Sequence, residues 1–591
     1  MPTRNRKIAA WSIGLLVFAI LFAAIWYRAH YGLDVTDESY WVAEPYLVLK
    51  GAVPFVNLWS QTPSTTLLIA PFVSVYMLLA GGTEGLALFM MLTAVIFRLV
   101  VCVGIWALLR RHLGDLNAGT FAAAFFCFSS TGRGMNYNTI SLYLLALGGA
   151  LVFRSLSEDD KKHRGLFSAL AGVVMACCAL AHNTQIVNCV YFVLVVLCCT
   201  EKAKLKGYGL LRYLVAGLGI AIITVIGLEI AGHGGVFSGI DLLLKKNNYF
   251  RIEHLELQDQ LTRSYDLVKE GGRPWLFGFL CFFAISLILM ALFRRKKLFT
   301  LRTSIAVALL GGGIVLIVEA LLHGVYRNVP TAILFLSAPL FLAAIGKKNR
   351  RKAIILFLCY WVPSLFTLLL IAILSHTPAD YRYFTLTSGA LLYIPFGHFA
   401  LEEIGTGEEN EKPPFFIRLL RVVPALLALL IAVSFVKTAY ETVYRDSPIR
   451  ELDYKVTTGI YKGLYTTREN GEAIERLEGL IREETAGAES VLICDLFPMG
   501  YLMTDAASCT PTGWDPNMYR YRFQDMELFK AYFERVGKTP EIILYINSEN
   551  SKLSIDDPEN DFAAFVNEYY TLTSSDGDGR YALRVFERNE Q

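Results

Sequence analysis

Long apolar runs separated by short basic clusters fill roughly the first three quarters of the chain and then stop. The first run, Ile8 to Tyr27, follows Arg4, Arg6 and Lys7. It is long enough for an uncleaved membrane anchor, and the charges ahead of it place the N-terminus in the cytoplasm. Further membrane helices are expected at Leu86–Leu109, Ala118–Ser129, Thr139–Phe153, Gly165–Ala181, Ile186–Cys199 and Tyr213–Ile230. Others follow at Trp275–Leu292, Ile305–Leu322, Thr331–Ile345, Ala353–Leu374, Thr385–Leu401 and Val422–Val436. Basic clusters at Arg110–His112, Lys161–Arg164, Lys202–Lys206, Arg294–Lys297 and Lys347–Lys352 fall in alternate connections, all on one side. The run Ser64–Ala80 is the ambiguous one, because roughly 17 residues is the lower limit for spanning a bilayer. If it crossed, every later basic cluster would face outward, so it is read as a helix lying in the outer interface. About thirteen spans result, and the plasma (inner) membrane is the expected location.

From Thr438 the chain is polar and carries no further run long enough to span. A helical stretch around Ala473–Glu484 precedes a β-like run, Ser490–Asp495. Another, Asp525–Val536, precedes Glu541–Asn547, and Tyr581–Glu587 reads as a third strand. Such alternation predicts a small α/β unit. The fold class is therefore an all-α polytopic membrane domain, residues 1–436 with a first outer loop at 28–85, followed by an extracytoplasmic α/β domain, 437–591.

Composition changes this picture little. Hydrophobic residues make up 54% and charged residues 18% of the 591, which excludes a soluble protein of this length. A net charge of +3, dispersed in helix-orienting clusters, implies no nucleic-acid partner. Nine of the eleven cysteines lie in or beside apolar runs, where they serve as small hydrophobes. Cys494 and Cys509 lie in the outer tail, where a disulfide is chemically allowed. No Cys/His spacing matches a zinc site.

With the chain oriented, its unusual polar residues gather on the outer side: Asp34, Asp37 and Glu38; Arg133, Asn136 and Asn138; His182 and Asn183; Glu229 and His233; His323, Arg327 and Asn328; His376, Asp380, Arg382 and Tyr383. Ionisable groups at helix ends beside a bilayer are functional candidates by default. Each also has a plainer use. Arginines snorkel to headgroups, histidines cap helices, and Asp37 and Glu38 suit the first turn of a loop helix starting near Ser39.

The segment around that acidic pair says more. It reads Asp34-Val-Thr-Asp37-Glu38-Ser-Tyr40-Trp41, then Gly51-Ala-Val-Pro54, then Trp59-Ser-Gln-Thr-Pro63. This resembles the first external loop of the GT-C glycosyltransferases that use polyprenyl-phosphate sugars, the group of protein O-mannosyltransferases and the lipid A aminoarabinose transferase. The sharp motif is confined to residues 34–63, while the order of elements is similar from residue 1 to about 436. The resemblance implies a polyprenyl-phosphate sugar donor and an extracytoplasmic glycan, protein or lipid acceptor. It further implies inversion at the anomeric carbon, Asp37 as the catalytic aspartate and Glu38 as its partner. Tyr381-Arg382-Tyr383 is similar to the Arg-Tyr placed near the lipid phosphate in that group. Two positions depart from the pattern: an Asp frequent in the second outer loop is here Met135-Asn136-Tyr137-Asn138, and a Lys at the fifth-to-sixth turn is Ala181-His182-Asn183-Thr184.

The expected chemistry is transfer of a hexosyl or pentosyl unit. Asp37 is the general base, and Glu38 an orienting group or, if a divalent metal ion is used at all, a metal ligand with Asp37. Arg382, Arg327, His182 and Tyr383 face the donor phosphate. Asp34, Tyr40, Asn136, Asn138 and His376 line the cavity or meet the acceptor. The tail residues Trp514, Asp515, Tyr519 and Tyr521 suit sugar stacking or domain packing. A lipid-linked glycan polymerase or ligase is the alternative reading. A secondary transporter is a further one, disfavoured because the polar residues cluster at one face and no repeat is present.

Overall fold

The computed structural model describes residues 4–60, 62–127, 133–158, 161–200, 203–246, 329–346, 348–374, 385–404, 423–441, 443–513, 526–547, 561–576 and 580–589, with isolated residues and short stretches between 258 and 322 and at 555–556. Helices dominate the first part. They are α1 (Arg4–Arg28), α2 (Asp37–Leu49), α3 (Thr65–Ala80), α4 (Leu86–Leu113), α5 (Asp115–Cys127), α6 (Tyr137–Leu156), α7 (Lys161–Ala181), α8 (Ile186–Cys199), α9 (Ala203–Ala231) and α10 (Val236–Lys246). Later helices cover Val329–Ala344, Arg350–Leu356 continuing through a π turn into Val362–Leu374, Tyr393–Ile404 and Val423–Glu441. Among the described residues six helices are long and apolar enough to cross a membrane. Most of the expected span Trp275–Leu292 and part of Ile305–Leu322 lie outside the described residues.

The helices pack through small residues, as apolar helices in lipid must, because van der Waals contact rather than water exclusion holds them together. Gly172 of α7 shows it: a Cβ there would stand 2.2 Å from the Tyr213 carbonyl oxygen of α9. Any larger residue forces those two backbones apart.

Basic residues collect at one end of the bundle. Lys352 donates to the His112 carbonyl at 3.1 Å, Arg351 to Leu156 O at 3.3 Å, and Arg164 to Thr200 Oγ1 at 2.6 Å. The tail domain lies at the other end, where it meets the exit of α1 and the entry of α4. Tyr465 N donates to His30 O, Gly32 N to Tyr465 O, and Gly85 N to Gly459 O. Helix α3 therefore starts and finishes on the tail side. Its first turn bonds the carbonyls of Leu180 and Ala181 at the end of α7, and Glu84 beyond its C-terminus pairs with Lys462 of the tail. Leu78 and Leu79 near its end are exposed.

In the tail, β1 (Tyr454–Lys455) and β2 (Tyr465–Thr466) form a small ribbon beside a five-stranded sheet. The sheet strands are β3 (Ser490–Cys494), β4 (Ala507–Ser508), β5 (Ile542–Asn547), β6 (Tyr570–Asp576) and β7 (Ala582–Arg588), in the order β4-β3-β5-β7-β6. β3 runs parallel to β4 and β5, whereas β5, β7 and β6 are antiparallel. The continuous apolar runs of β3 and β5 fit a sheet covered on both faces, and every β3 residue is buried. The helix Arg468–Glu484 is opened by a Thr467 cap on Asn470 N. Cys494 and Cys509 are both buried free thiols, so the disulfide the tail allowed is not formed.

Candidate active site

The segment between α1 and α3 is built around three carboxylates at the start of α2. Asp34 lies ahead of the helix with its side chain folded onto the helix N-terminus. Its Oδ1 accepts from Thr36 N at 2.9 Å and Thr36 Oγ1 at 2.7 Å, and its Oδ2 accepts from Glu38 N at 2.9 Å. Helix N-termini leave such N–H groups without intrahelical partners and favour negative charge. Asp34 is nevertheless buried, and burial first, then the neighbouring charges of Glu38 and Asp37, push its pKa up to about 6.

Glu38, one turn in, points into the protein. Arg133 covers it: Nε lies 3.1 and 3.2 Å from its two oxygens, Nη2 reaches Oε2, and the Arg133 backbone N–H donates to Oε1 at 2.6 Å. The same guanidinium bonds the carbonyls of Tyr31 and Gly32. Burial alone would lower the Arg133 pKa, but the Glu38 charge and hydrogen bonds hold it above the usual arginine value. Behind the helix turn, Asp34, Glu38, Ser39, Arg133, Tyr461 and Met499 line a small pocket.

Asp37 is the open member of the three, with its side chain 31% exposed. Oδ2 is held by Nη2 of Arg445 at 3.0 Å and by the Tyr444 hydroxyl. Among the described residues nothing bonds Oδ1. Arg445 also donates to Thr36 Oγ1, which in turn donates to Asp34. Burial works against the Arg445 charge, yet Asp37 and Asp34 keep its pKa above the ordinary value. Burial and the Asp37 charge raise that of Tyr444. Both residues belong to the turn that follows the helix Val423–Glu441. Asp446 anchors that turn by accepting from Leu33 N at 2.8 Å, Thr466 Oγ1 at 2.8 Å and Asn470 Nδ2 at 3.1 Å.

The tail grips the rest of α2. Ser39 Oγ and Tyr461 OH lie 2.6 Å apart, the buried Glu44 accepts from Gly513 N at 2.6 Å, and Trp59 N donates to Pro511 O at 2.5 Å. Tyr40 and Trp41 meet edge to face, Trp41 packs on Tyr137, and Tyr137 on His182, so an aromatic row runs from α2 to the end of α7. His182 accepts from Thr184 N as an N-cap. Asn136 caps α6 through Thr139 N at 2.8 Å, while the buried Oδ1 of Asn138 has no hydrogen-bond partner among the described residues. Arg327, His376, Arg382 and Tyr383 lie outside the described residues, as do Trp514, Asp515, Tyr519 and Tyr521.

The described carboxylates are already engaged by protein donors. Glu38 has both oxygens on Arg133, Asp34 caps α2, Asp37 Oδ2 carries Arg445 and Tyr444, and no group of three or more His, Cys, Asp or Glu is arranged for a metal ion among the described residues. The loop helix begins at Asp37, two residues ahead of the expected Ser39. The Arg445 counter-charge and the Tyr444 hydroxyl are not legible in the sequence as partners of Asp37. Their one signal is Tyr444-Arg445-Asp446 shortly after the last apolar run.

No family model and no curated protein matches the chain. Solved structures do. The chain is similar to ArnT from Cupriavidus metallidurans bound to undecaprenyl phosphate, at 12% identity and TM-score 0.47 over 99% of this chain and 98% of that one. It is also similar to the oligosaccharyltransferase of Archaeoglobus fulgidus tethered with an acceptor peptide, at 11% identity and TM-score 0.46 over 98% and 74% of the two chains. The same archaeal enzyme, AglB, in complex with an inhibitory peptide and a dolichol-phosphate gives 10% identity and TM-score 0.40 over 98% and 74%.

Proposed function

We propose that this chain is an inverting membrane glycosyltransferase that moves a sugar from a polyprenyl-phosphate donor to an extracytoplasmic acceptor, with Asp37 as general base. The observation that carries this reading is the division among the three acids of the first outer loop. Asp34 and Glu38 are buried and fully engaged, whereas Asp37 is held at one oxygen and open at the other. In this reading the acceptor hydroxyl approaches Oδ1 of Asp37, the oxygen that no described residue holds.

Transfer then balances simply. The acceptor hydroxyl gives its proton to Oδ1 of Asp37 while its oxygen forms a bond to C1 of the sugar. The bond from C1 to the phosphate oxygen breaks, and its electron pair leaves with the polyprenyl phosphate. Proton removal of this kind contributes on the order of 10²–10⁴-fold, and cations around the departing phosphate stabilise its growing charge. Arg382, Arg327, Tyr383 and His182 are proposed for that role. Glu38 fixes Arg133 and so the floor of the site, rather than touching substrate.

The proposed placement has about thirteen crossings, the N-terminus in the cytoplasm and the tail outside. It is supported by the basic clusters at the end of the bundle away from the tail. Incubating membranes that contain the chain with labelled polyprenyl-phosphate sugars tests the reading. Label passing to a lipid, glycan or protein acceptor, and not doing so in membranes lacking the chain, is the expected result. No chain-dependent transfer from any such donor contradicts it.

A further inference from the structure

We propose that Arg445 is a ligand of the donor phosphate, kept on Asp37 until the lipid arrives: the guanidinium passes from the Asp37 carboxylate to the phosphate, and its departure frees Asp37 to act as base. This rests on the transferase reading above and adds a residue and a sequence of events to it.

Accessibility separates this ion pair from its neighbour. The side chains of Arg445 and Asp37 are 32% and 31% exposed, against 12% and 2% for Arg133 and Glu38. An incoming anion can compete for the first pair and not for the second. The two N–H edges in use, Nη2 on Asp37 and Nη1 on Thr36, present a planar fork of the kind that suits phosphate oxygens.

Depth agrees. Tyr440, five residues before Arg445, stacks on Tyr27 with ring centroids 6.3 Å apart; Tyr27 meets Tyr31 at 4.8 Å, and Tyr31 meets Tyr465 at 4.9 Å. Such a belt of amphipathic rings marks the headgroup level of a bilayer, where lipid phosphates lie. Below it α1 presents Ile13, Leu15, Leu16 and Ile20 outward, each at least 60% exposed. A polyprenyl chain lying along α1 would bring its phosphate to the level of Arg445.

The turn is built so that the guanidinium moves and the backbone does not. Arg445 has φ +55°, a left-handed conformation uncommon for a long side chain, and Asp446 next to it is tied to Leu33, Thr466 and Asn470. Without the guanidinium, Oδ2 of Asp37 keeps only the Tyr444 hydroxyl and the carboxylate is free to turn toward an acceptor. The exchange thus joins donor binding to activation of Asp37.

The test is binding of undecaprenyl phosphate to the full chain in phosphatidylcholine nanodiscs, measured for the wild type, Asp37→Asn, Arg445→Gln and the double variant. Removing the competing carboxylate in Asp37→Asn should tighten binding about tenfold, and Arg445→Gln should weaken it about tenfold. The double variant should bind like Arg445→Gln alone. Asp37→Asn is nearly isosteric, so it remains informative should Arg445→Gln fold poorly. Asp37→Asn and Arg445→Gln both binding like the wild type would overturn the exchange. The same pattern with phosphatidylglycerol in place of the polyprenyl lipid would overturn the assignment to the donor. A wild type that binds no polyprenyl phosphate contradicts the transferase reading itself, which separates the two failures.

Discussion

Arg133 lies edge-on against Glu38, with Nε 3.1 and 3.2 Å from the two carboxylate oxygens, and this contact ties the loop before α6 to the first turn of α2. The pair is almost wholly out of water. Its Coulomb attraction is largely offset by desolvation, but either charge left alone there is costly. Glu38→Ala is therefore expected to destabilise the chain by about 3–5 kcal/mol. Glu38→Ala combined with Arg133→Met should recover part of that loss. Thermal unfolding of the purified variants checks both. A Glu38→Ala variant as stable as the wild type and defective only in turnover would instead make Glu38 a substrate or metal ligand.

Asp34 gives stability a pH dependence of defined sign. Its folded pKa of about 6 lies above the ordinary carboxylate value of 3.8, so between these values the folded state binds the extra proton. Stability contributed through Asp34 is thus greatest at low pH and declines as pH rises from about 4 to about 6. The melting temperature of the wild type relative to Asp34→Asn should fall across that window and level off above it. A difference that grows with pH would show that the α2 caps outweigh burial.

Asp446 is the latch between the last helix, the first loop and the tail. Asp446→Ala removes the acceptor for Leu33 N, Thr466 Oγ1 and Asn470 Nδ2 together. A loss of about 1–3 kcal/mol is expected, since partially buried donors are left unmade. Limited proteolysis should then cut within residues 447–470 faster than in the wild type. Unchanged cutting would mean the tail is held by its other contacts, Glu44 with Gly513 and Trp59 with Pro511.

The same contacts change what a tail deletion means. Tyr461, Met499 and Gly513 pack directly on α2 or its cavity, so removing residues 445–591 strips Asp37 of Arg445 and uncovers the helix that carries it. Complete loss of transfer is expected, rather than a change of acceptor preference alone. Assay of the truncated chain with several acceptors distinguishes the two.

Much of this was legible along the chain because hydrophobic length and basic clusters are local signals. α3 reads as non-crossing because the charges after it would otherwise invert, whereas its contacts with Leu180 at one end and, through Glu84, with Lys462 at the other carry no sequence signal. The runs of β3 and β5 stand out as unbroken apolar strands. β4 and β6 do not: β4 is two residues long, and β6 is mostly solvent-facing, so neither leaves an apolar pattern. At the site, Asp34, Asp37 and Glu38 are visible as a motif, but their division of labour is not. It depends on Arg133 and Arg445, each supplied from a distant loop, and no periodicity records which guanidinium meets which acid. Glu44 shows the same limit: four apolar or aromatic neighbours hide a carboxylate whose partner is the Gly513 backbone.

The most direct measurement is sugar transfer by Asp37→Asn, assayed with saturating polyprenyl-phosphate donor beside the wild type. Turnover should fall on the order of 10²–10⁴-fold or beyond detection, with membrane insertion and melting temperature unaltered. Turnover equal to the wild type would contradict the assignment of Asp37 as the base.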